Sequence, residues 1–299
     1  MRIVVALGGN AVLKKGQRKF KEELHTIKQT CKVIANLIEA GHTIVVTHGN
    51  GPHVGDLLLQ QRIARVRVPL DVCGAETQSE IGYLLQQQLR NELERRKIRK
   101  EVVTIVTQVV VNKNDEAFKN PTKPIGYFYG RKPKIRGRKF VKTEKGYRRI
   151  VASPKPLEIV EASVIKSLIC NVIVIACGGG GIPVVKADGL KGVEAVIDKD
   201  LTAALLAKLV RAELLLILTD VDYVYLNYRK KGQKKLERLN VNQAEQYLKA
   251  GQFPPGSMGP KIEAAISFLK HAKNAKVIIT SIKNARLALK EKAGTVITR

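Results

Sequence analysis

Short apolar segments alternate with longer amphipathic ones along most of this chain. The apolar segments are rich in β-branched residues and occupy positions 2–7, 43–47, 102–106, 172–176, 214–218 and 276–280. Continuous apolar runs of this length are typical of strands buried on both faces of a parallel sheet. Between Lys21 and Glu39 the apolar side chains instead recur at helical spacing, and Gly41 then ends the pattern. Strand and helix in alternation predict a wound α/β sheet with right-handed crossovers.

One stretch departs from this alternation and is strongly basic. Arg131–Arg149 contains ten basic residues and a single acid, Glu144, with glycine and proline among them. Strand-like pieces around Lys139–Val141 and Arg149–Val151 predict a small excursion from the main sheet in the form of a hairpin. Two interpretations of its charge stay open: a solvated insertion, or a surface that binds anions or nucleic acid.

The whole chain shares this excess of positive charge. Its 299 residues include 53 Lys and Arg against 26 Asp and Glu, a net charge of +27. Such a field attracts nucleic acid, anionic surfaces and phosphorylated metabolites alike, so it selects no partner by itself. The composition is otherwise ordinary, with 44% hydrophobic residues, and excludes a disordered or fibrous protein.

Hydropathy and cysteine usage give an expectation for the cellular location. No run of about 18 apolar residues occurs, which excludes a transmembrane helix, and we expect no membrane partner. The four cysteines have no CxxC spacing and lie in apolar stretches, which is typical of buried thiols in a reducing compartment. We therefore expect a cytoplasmic protein.

Four glycine-rich turns are predicted to follow strands. They are Gly8-Gly9-Asn10-Ala11, Gly49-Asn50-Gly51-Pro52, Gly178–Gly181 and Gly256–Lys261. Ligands of α/β sheets bind at the carboxyl ends of the strands, where such turns lie. Because glycine lets the backbone approach closely, the free N–H groups of these turns can donate to a bound anion.

The common nucleotide and metal fingerprints are absent. No segment has Walker spacing, and Gly49-x-Gly51 is followed by Val54 where the dinucleotide pattern requires a third glycine. Histidine and cysteine are scattered, so no protein-bound metal site is predicted. His48 and His53 flank the second glycine turn, and we assign them supporting structural roles.

Lysine and aspartate beside glycine remain as candidates for the chemistry. Asp198, Lys199 and Asp200 close the apolar segment 193–197, Lys123 stands in Asn-Pro-Thr-Lys-Pro, and Lys261 ends the last glycine turn. Lysines on rigid loops that face backbone donors suit phosphoryl transfer, in which catalysis is positioning plus neutralisation of charge.

These motifs, taken in order, resemble those of carbamate kinases, which belong to the amino-acid kinase superfamily. The resemblance runs from residue 3 to about 297 and rests on the segments 5–11, 47–52, 120–124, 178–184, 196–201 and 256–261. It implies an open, mostly parallel β-sheet between helical layers, with a small protruding subdomain at about 125–152. It also implies a homodimer, a carbamate or carbamoyl phosphate lobe over 1–205, and a nucleotide lobe over 206–299.

The same resemblance implies a role for individual residues. Lys199 and Lys261 would neutralise the transferring phosphoryl group, Asp200 would hold these lysines, and Lys123 would reach the substrate or the phosphate. The substrate and phosphate would be cradled by Gly8, Gly9, Asn10, Gly49, Asn50 and Gly51. The nucleotide, bound with Mg²⁺, would contact Asp198, Thr219, Asp220, Val221, Met258 and Gly259.

The implied activity is reversible phosphoryl transfer between ATP and carbamate, giving ADP and carbamoyl phosphate. Carbamate reacts through an oxygen that is ionised at neutral pH, so a site without an obvious catalytic His or Glu is expected. One alternative is another acid or phosphate kinase of the superfamily. The other is a basic kinase-fold protein that binds nucleic acid, against which the low aromatic content of 5% argues.

Overall fold

The computed structural model describes residues 1–13, 19–66, 68–135, 137–143 and 146–299, so Glu144 of the basic stretch lies outside the described residues. Its strands are β1 (Arg2–Leu7), β2 (Thr43–His48), β3 (Glu101–Thr104), β4 (Gln108–Val111), β5 (Lys123–Tyr129), β6 (Lys139–Thr143), β7 (Gly146–Val151), β8 (Pro156–Ile159), β9 (Val172–Ile175), β10 (Ile182–Ala187), β11 (Gly189–Gly192), β12 (Leu214–Thr219), β13 (Val224–Leu226), β14 (Lys234–Leu236), β15 (Arg238–Asn240), β16 (Lys276–Ser281) and β17 (Thr295–Thr298). Its α-helices are α1 (Phe20–Glu39), α2 (Gly51–Ala64), α3 (Leu70–Arg95), α4 (Glu116–Lys119), α5 (Ala162–Leu168), α6 (Lys199–Leu209), α7 (Val241–Lys249), α8 (Met258–Leu269) and α9 (Ala285–Leu289).

The main sheet confirms the predicted α/β architecture. Its strand order is β15-β17-β16-β12-β1-β2-β9-β3. The six apolar segments form β16, β12, β1, β2, β9 and β3, which lie side by side and run parallel. β17, in contrast, pairs antiparallel with β16. Val4, at the centre, pairs with Leu215 on one side and Val45 on the other.

Helices cover both faces of this sheet. Ile3, Val5 and Leu7 of β1 face a layer that contains α1 and α3, whereas Val4 and Ala6 face a layer that contains α6 and α8. The alternation follows because successive side chains of a strand point to opposite faces. All five side chains are fully buried, and burying each large one stabilises the fold by about 1.5–3 kcal/mol. Among the described helices, none is long and apolar enough to cross a membrane.

The basic stretch forms part of a separate three-stranded sheet in the described part of the chain, with the order β5-β7-β6. β6 and β7 pair antiparallel, which confirms the predicted hairpin. Ile125 of β5 and Val151 of β7 join an apolar cluster with Val54, Leu70 and Cys73 of α2 and α3. This cluster fixes the base of the small sheet beside the carboxyl ends of β1 and β2, where the chain's glycine turns lie.

Candidate active site

Two of the predicted glycine turns touch each other where β1 and β2 end. The Gly8 N–H donates to the Leu218 carbonyl at 2.8 Å, and the Gly49 N–H donates to the Leu7 carbonyl at 3.0 Å. A Cβ atom on Gly8 would lie 2.9 Å from the Leu218 oxygen, and one on Gly49 would lie 3.5 Å from the Gly9 nitrogen. The absence of a side chain at Gly8 is therefore what lets β1 and β12 close together at this edge.

The third glycine turn, Gly178–Gly181, supports the second one. A Cβ atom on Gly178 would lie 2.4 Å from His48 Nε2, and one on Gly179 would lie 2.2 Å from Asn50 Nδ2. Gly179 also has a φ of +66°, a conformation that favours glycine. The same Asn50 Nδ2 group donates a hydrogen bond to Thr77 Oγ1 of α3 at 3.0 Å. The turn therefore holds the Asn50 side chain in place at the start of α2.

A cluster of lysines and aspartates lies at the start of α6. Asp200 accepts hydrogen bonds from Lys199 Nζ at 2.5 Å and from Lys261 Nζ at 2.9 Å, one on each carboxylate oxygen. Lys123 Nζ donates to Asp198 Oδ2 at 2.5 Å. Asp198 also caps α6, because its other oxygen accepts from the Asp200 N–H at 2.9 Å. The cluster joins three segments that are far apart in sequence.

Burial sets the electrostatics of this cluster. The Asp200 side chain is 5% exposed, and the side chains of Lys199 and Lys261 are each 12% exposed. Burial lowers the pKa of Lys199 despite the attraction of Asp200. Burial also opposes ionisation of Asp200, but the two lysine charges hold its pKa below the usual value. For Lys261 the attraction of Asp200 outweighs burial and raises the pKa.

The arrangement leaves donors for an anion. An ammonium group has three N–H donors, so each lysine can keep its aspartate partner and still bind a phosphoryl oxygen. Because the aspartate fixes the position of each ammonium group beforehand, little reorganisation is needed when negative charge arrives.

The cluster opens into a cavity of about 360 Å³, which we call the lysine cavity. Of the predicted site residues, it is lined by Gly8, Gly9, Asn10, Gly49, Asn50, Gly51, Lys123, Asp198, Lys199, Asp200, Thr219, Asp220 and Lys261. The structure thus brings together every residue predicted to cradle substrate or to act on the phosphoryl group. Asp198, predicted to contact nucleotide, lies here beside Lys123.

A neighbouring cavity of about 600 Å³, the tyrosine cavity, is lined by Val221, Tyr225 and Tyr228 among others. The two cavities share Asn10, Thr219 and Asp220. Met258 and Gly259 do not belong to the described lining of either one. Met258 begins α8, so the fourth glycine turn lies between α7 and α8, and the prediction that it follows a strand was wrong. The Gly259 N–H donates to the Pro254 carbonyl at 3.0 Å, and the nucleotide contact of Met258 and Gly259 stays a prediction.

The sequence interpretation missed most of the tyrosine cavity. Its unpredicted polar residues include Asp222, which accepts from Ser281 Oγ at 2.5 Å and from Lys283 Nζ at 3.1 Å. Ser281 ends β16, so the rule that ligands bind at the carboxyl ends of strands could have found it. The two tyrosines lie beyond β12 and carry no motif that distinguishes them from core residues.

The two histidines lie behind the lysine cavity rather than on it. His48 is fully buried, and burial lowers its pKa to about 4. His53 Nε2 is 2.5 Å from Glu23 Oε1; burial opposes its protonation, but this hydrogen bond and the carboxylate charge raise its pKa. Neither belongs to a metal cluster, since no group of three or more His, Cys, Asp and Glu side chains in the described ranges could hold a metal ion.

Comparisons with known proteins agree with this geometry. The amino acid kinase family matches residues 1–281. The chain is 48% identical to carbamate kinase 1 of Enterococcus faecium, over 100% of this chain and 99% of that protein. Carbamate kinase of Clostridium perfringens is also 48% identical, with full coverage of both chains. The solved structure of Giardia lamblia carbamate kinase bound to AMP-PNP superposes with a TM-score of 0.92 at 40% identity and covers 99% of this chain and 98% of that one. This chain therefore belongs to the amino acid kinase family and, within it, to the carbamate kinases.

Proposed function

We propose that this protein catalyses reversible phosphoryl transfer between ATP and carbamate, giving ADP and carbamoyl phosphate. The observation that carries the proposal is the pair of lysines bridged by Asp200 in a cavity lined by glycine turns. Lys199 and Lys261 approach from α6 and α8, and Lys123 approaches from β5. Together they surround one position where a phosphoryl group can bind, which is the main requirement of this reaction.

The lysine cavity is the site we propose for carbamate and for carbamoyl phosphate, and the tyrosine cavity is the site for the nucleotide. Because Asn10, Thr219 and Asp220 line both, the terminal phosphate of a nucleotide in one cavity can reach the other. This division supports a substrate lobe over residues 1–205 and a nucleotide lobe over 206–299. Mg²⁺ would be bound together with the nucleotide phosphates, where it would neutralise their charge, and the Asp220 carboxylate at the junction of the two cavities would hold it through the oxygen ligands that Mg²⁺ prefers.

Transfer toward carbamoyl phosphate begins when an ionised carbamate oxygen attacks the γ-phosphorus of ATP. The new P–O bond forms as the bond to the β-phosphate oxygen breaks, and ADP leaves with the electron pair. No proton has to be removed from the nucleophile, so the site needs no general base. The three lysines stabilise the phosphoryl oxygens during transfer, and the glycine turns supply backbone N–H groups.

The direct test is ATP formation from carbamoyl phosphate and MgADP, followed by a coupled assay. We expect turnover with carbamoyl phosphate, and no ADP formation when ATP is supplied with acetylglutamate or aspartate. An acetylglutamate kinase or an aspartate kinase of the superfamily would give the opposite pattern. A protein that only binds nucleic acid would give no turnover with any of these substrates.

We also propose that the protein is a cytoplasmic homodimer. All four cysteines are free thiols, which supports a reducing compartment. Cys31, Cys73 and Cys177 are buried as predicted, whereas Cys170 is exposed, so the prediction was wrong for that residue. Val72 at the start of α3 and Leu190 of β11 are exposed apolar side chains that an interface between two copies could cover. Sedimentation should give twice the 33.0 kDa mass of the chain, and a monomer at micromolar concentration would contradict the dimer.

A further inference from the structure

A third cavity lies between the end of α2 and the β5-β7-β6 sheet. It has a volume of about 690 Å³, and its basic lining residues are Arg62, Arg65, Arg138 and Arg149, so we call it the arginine cavity. Leu58, Val68, Leu70 and Ile135 are among its apolar lining residues. Its described lining has no residue in common with the lysine or tyrosine cavity, so the reaction proposed above does not use it.

Positive charge in this cavity is poorly compensated. Glu194 is the only acid in the described lining, and it accepts from Arg149 Nη2 at 2.9 Å. In the part of the chain that the structure describes, no carboxylate forms an ion pair with Arg62, Arg65 or Arg138. Four guanidinium groups therefore face one carboxylate.

Arg149 is the most enclosed of these groups. Its side chain is 13% exposed, whereas that of its partner Glu194 is 61% exposed. Burial, together with the nearby charge of Arg138, lowers the pKa of Arg149. A buried guanidinium that is repelled by a neighbouring guanidinium gains stability when an anion binds between them.

We propose that the arginine cavity binds a small anion that carries two or more phosphate groups, such as an inorganic oligophosphate. The planar guanidinium group binds phosphate oxygens through two parallel N–H donors, and four such groups suit an anion with several phosphates. The volume is that of a small-molecule site. The described lining contains no aromatic residue, and the nearby Tyr129 ring is covered by the Arg62 guanidinium, 6.0 Å from its centroid, so the bases of a nucleic acid would find little free stacking surface.

The two walls of the cavity belong to different parts of the molecule. Arg62 and Arg65 stand at the end of α2, whereas Arg138 precedes β6 and Arg149 lies on β7. An anion bound to both pairs of arginines bridges α2 and the small sheet. This binding does not depend on the phosphoryl transfer proposed above, and it gives part of the +27 net charge a specific use.

Calorimetric titration with tripolyphosphate, without nucleotide or Mg²⁺ and at physiological salt, tests the proposal. We expect the R65Q/R138Q variant to bind at least tenfold more weakly than the wild type. The matched control is K273Q/R286Q, which removes two exposed charges outside the described lining of this cavity and should change the affinity less than twofold. Equal weakening in both variants would mean that net charge alone attracts the anion, and would overturn the proposal.

Two further variants locate the bound anion. E194Q removes the only acid of the described lining and keeps an oxygen that can accept from the Leu70 N–H, so it should tighten binding about threefold or more. K123Q alters the lysine cavity and should leave the binding of tripolyphosphate to the arginine cavity unchanged. If K123Q abolishes tripolyphosphate binding, the anion binds in the lysine cavity and the proposal is wrong.

Folding and the competing ligand need separate measurements. R65Q/R138Q should keep the wild-type Tm and, within about twofold, the wild-type turnover of carbamoyl phosphate, since neither arginine lines the lysine cavity. A single-stranded RNA oligonucleotide serves as the competitor. If it binds more tightly than tripolyphosphate and loses affinity in the same variant, the site is a nucleic-acid surface and the small-anion assignment fails.

Discussion

The lysine cavity and the arginine cavity are both basic, but they hold their charges differently. In the lysine cavity each lysine contacts an aspartate within 3 Å, and the bridging Asp200 is nearly inaccessible to water. In the arginine cavity Arg62, Arg65 and Arg138 are exposed. Glu194, the only acid of the described lining, forms an ion pair with Arg149 and with none of the other three arginines. A fixed ion pair keeps a cation in one position, whereas an unpaired cation on the surface is free to follow its ligand.

This difference separates a site suited to catalysis from one suited to binding. Charge that stabilises a transition state is most effective when it is already in place, because its reorganisation was completed on folding. Buried pairs are costly to assemble and costlier to break. We therefore expect substitutions in the lysine cavity to affect stability and turnover strongly, and substitutions in the arginine cavity to affect mainly the affinity for anions.

The largest effect should follow from D200N. The variant leaves two buried ammonium groups without their shared counter-charge, and we expect the free energy of unfolding to fall by about 3 kcal/mol or more. Urea denaturation measures the change, with the exposed D188N as the matched control. A loss below about 1 kcal/mol would show that the bridged lysines are not held by Asp200.

Turnover should fall next most strongly in K199A and in K261A. In the proposed mechanism each of these lysines contacts the phosphoryl group during transfer, so we expect its removal to lower kcat about 100-fold or more. K208A, an exposed position near the end of α6, is the control and should keep wild-type turnover. Wild-type turnover in folded K199A would remove this lysine from the site.

A pH effect should arise behind the lysine cavity, at His48. Its pKa in the fold is about 4 against 6.5 for an ordinary histidine, so between these values the unfolded chain binds more protons and stability falls as the pH falls. From pH 6.5 to 5.0 the loss should be about 1.5 kcal/mol. The nearby charges of Lys199 and His53 act in the same direction.

Urea denaturation across this range should show the loss in the wild type and in the exposed control H25Q, but not in H48Q. His53 titrates in a different pH range. Because its pKa is raised in the fold, its contribution to the stability of the protein is lost only as the pH rises above about 6.5. If H48Q keeps the wild-type slope, the loss has another origin.

K123A should have the smallest of these effects and the most selective one. Lys123 pairs with Asp198 in the lysine cavity and is absent from the described lining of the tyrosine cavity. We expect the KM for carbamoyl phosphate to rise about tenfold while calorimetry shows nearly unchanged MgADP affinity. K119A, an exposed lysine on α4, is the control, and a variant that loses nucleotide affinity instead would place Lys123 in the other cavity.

Local patterns predicted the backbone elements well, because the signal and its cause lie in the same few residues. The residues Ile3–Leu7 are apolar throughout and form all of β1 except Arg2, and β1 lies between β12 and β2 in the sheet. The hairpin of β6 and β7 followed from strand-like pieces around a glycine. β5 was not predicted as their partner, since a strand that begins in Asn-Pro-Thr-Lys-Pro carries little of the usual pattern.

Local patterns did not predict most of the residues of the tyrosine cavity. Asp222, Ser281 and Lys283 come together from segments about 60 residues apart, and no spacing rule connects them. Met258 and Gly259 are the opposite case. The resemblance of the segment 256–261 implied that both contact the nucleotide, but neither belongs to the described lining of either cavity. Met258, Gly259 and Lys261 all lie in the first turn of α8, where successive side chains point in different directions.

The sequence by itself determined the six parallel strands and the amphipathic helices between them, and it singled out Lys123, Lys199, Asp200 and Lys261 as the residues of interest, because apolar periodicity and glycine turns are local properties of the chain. Only the tertiary structure decided that Lys261 reaches Asp200 across 61 residues and that Lys123 reaches Asp198 across 75. It alone also placed Arg62 and Arg65 of α2 opposite Arg138 and Arg149 to form the arginine cavity. The physical reason is that ion pairs and cavities depend on distances between side chains, and the packing of the sheet and helices sets those distances.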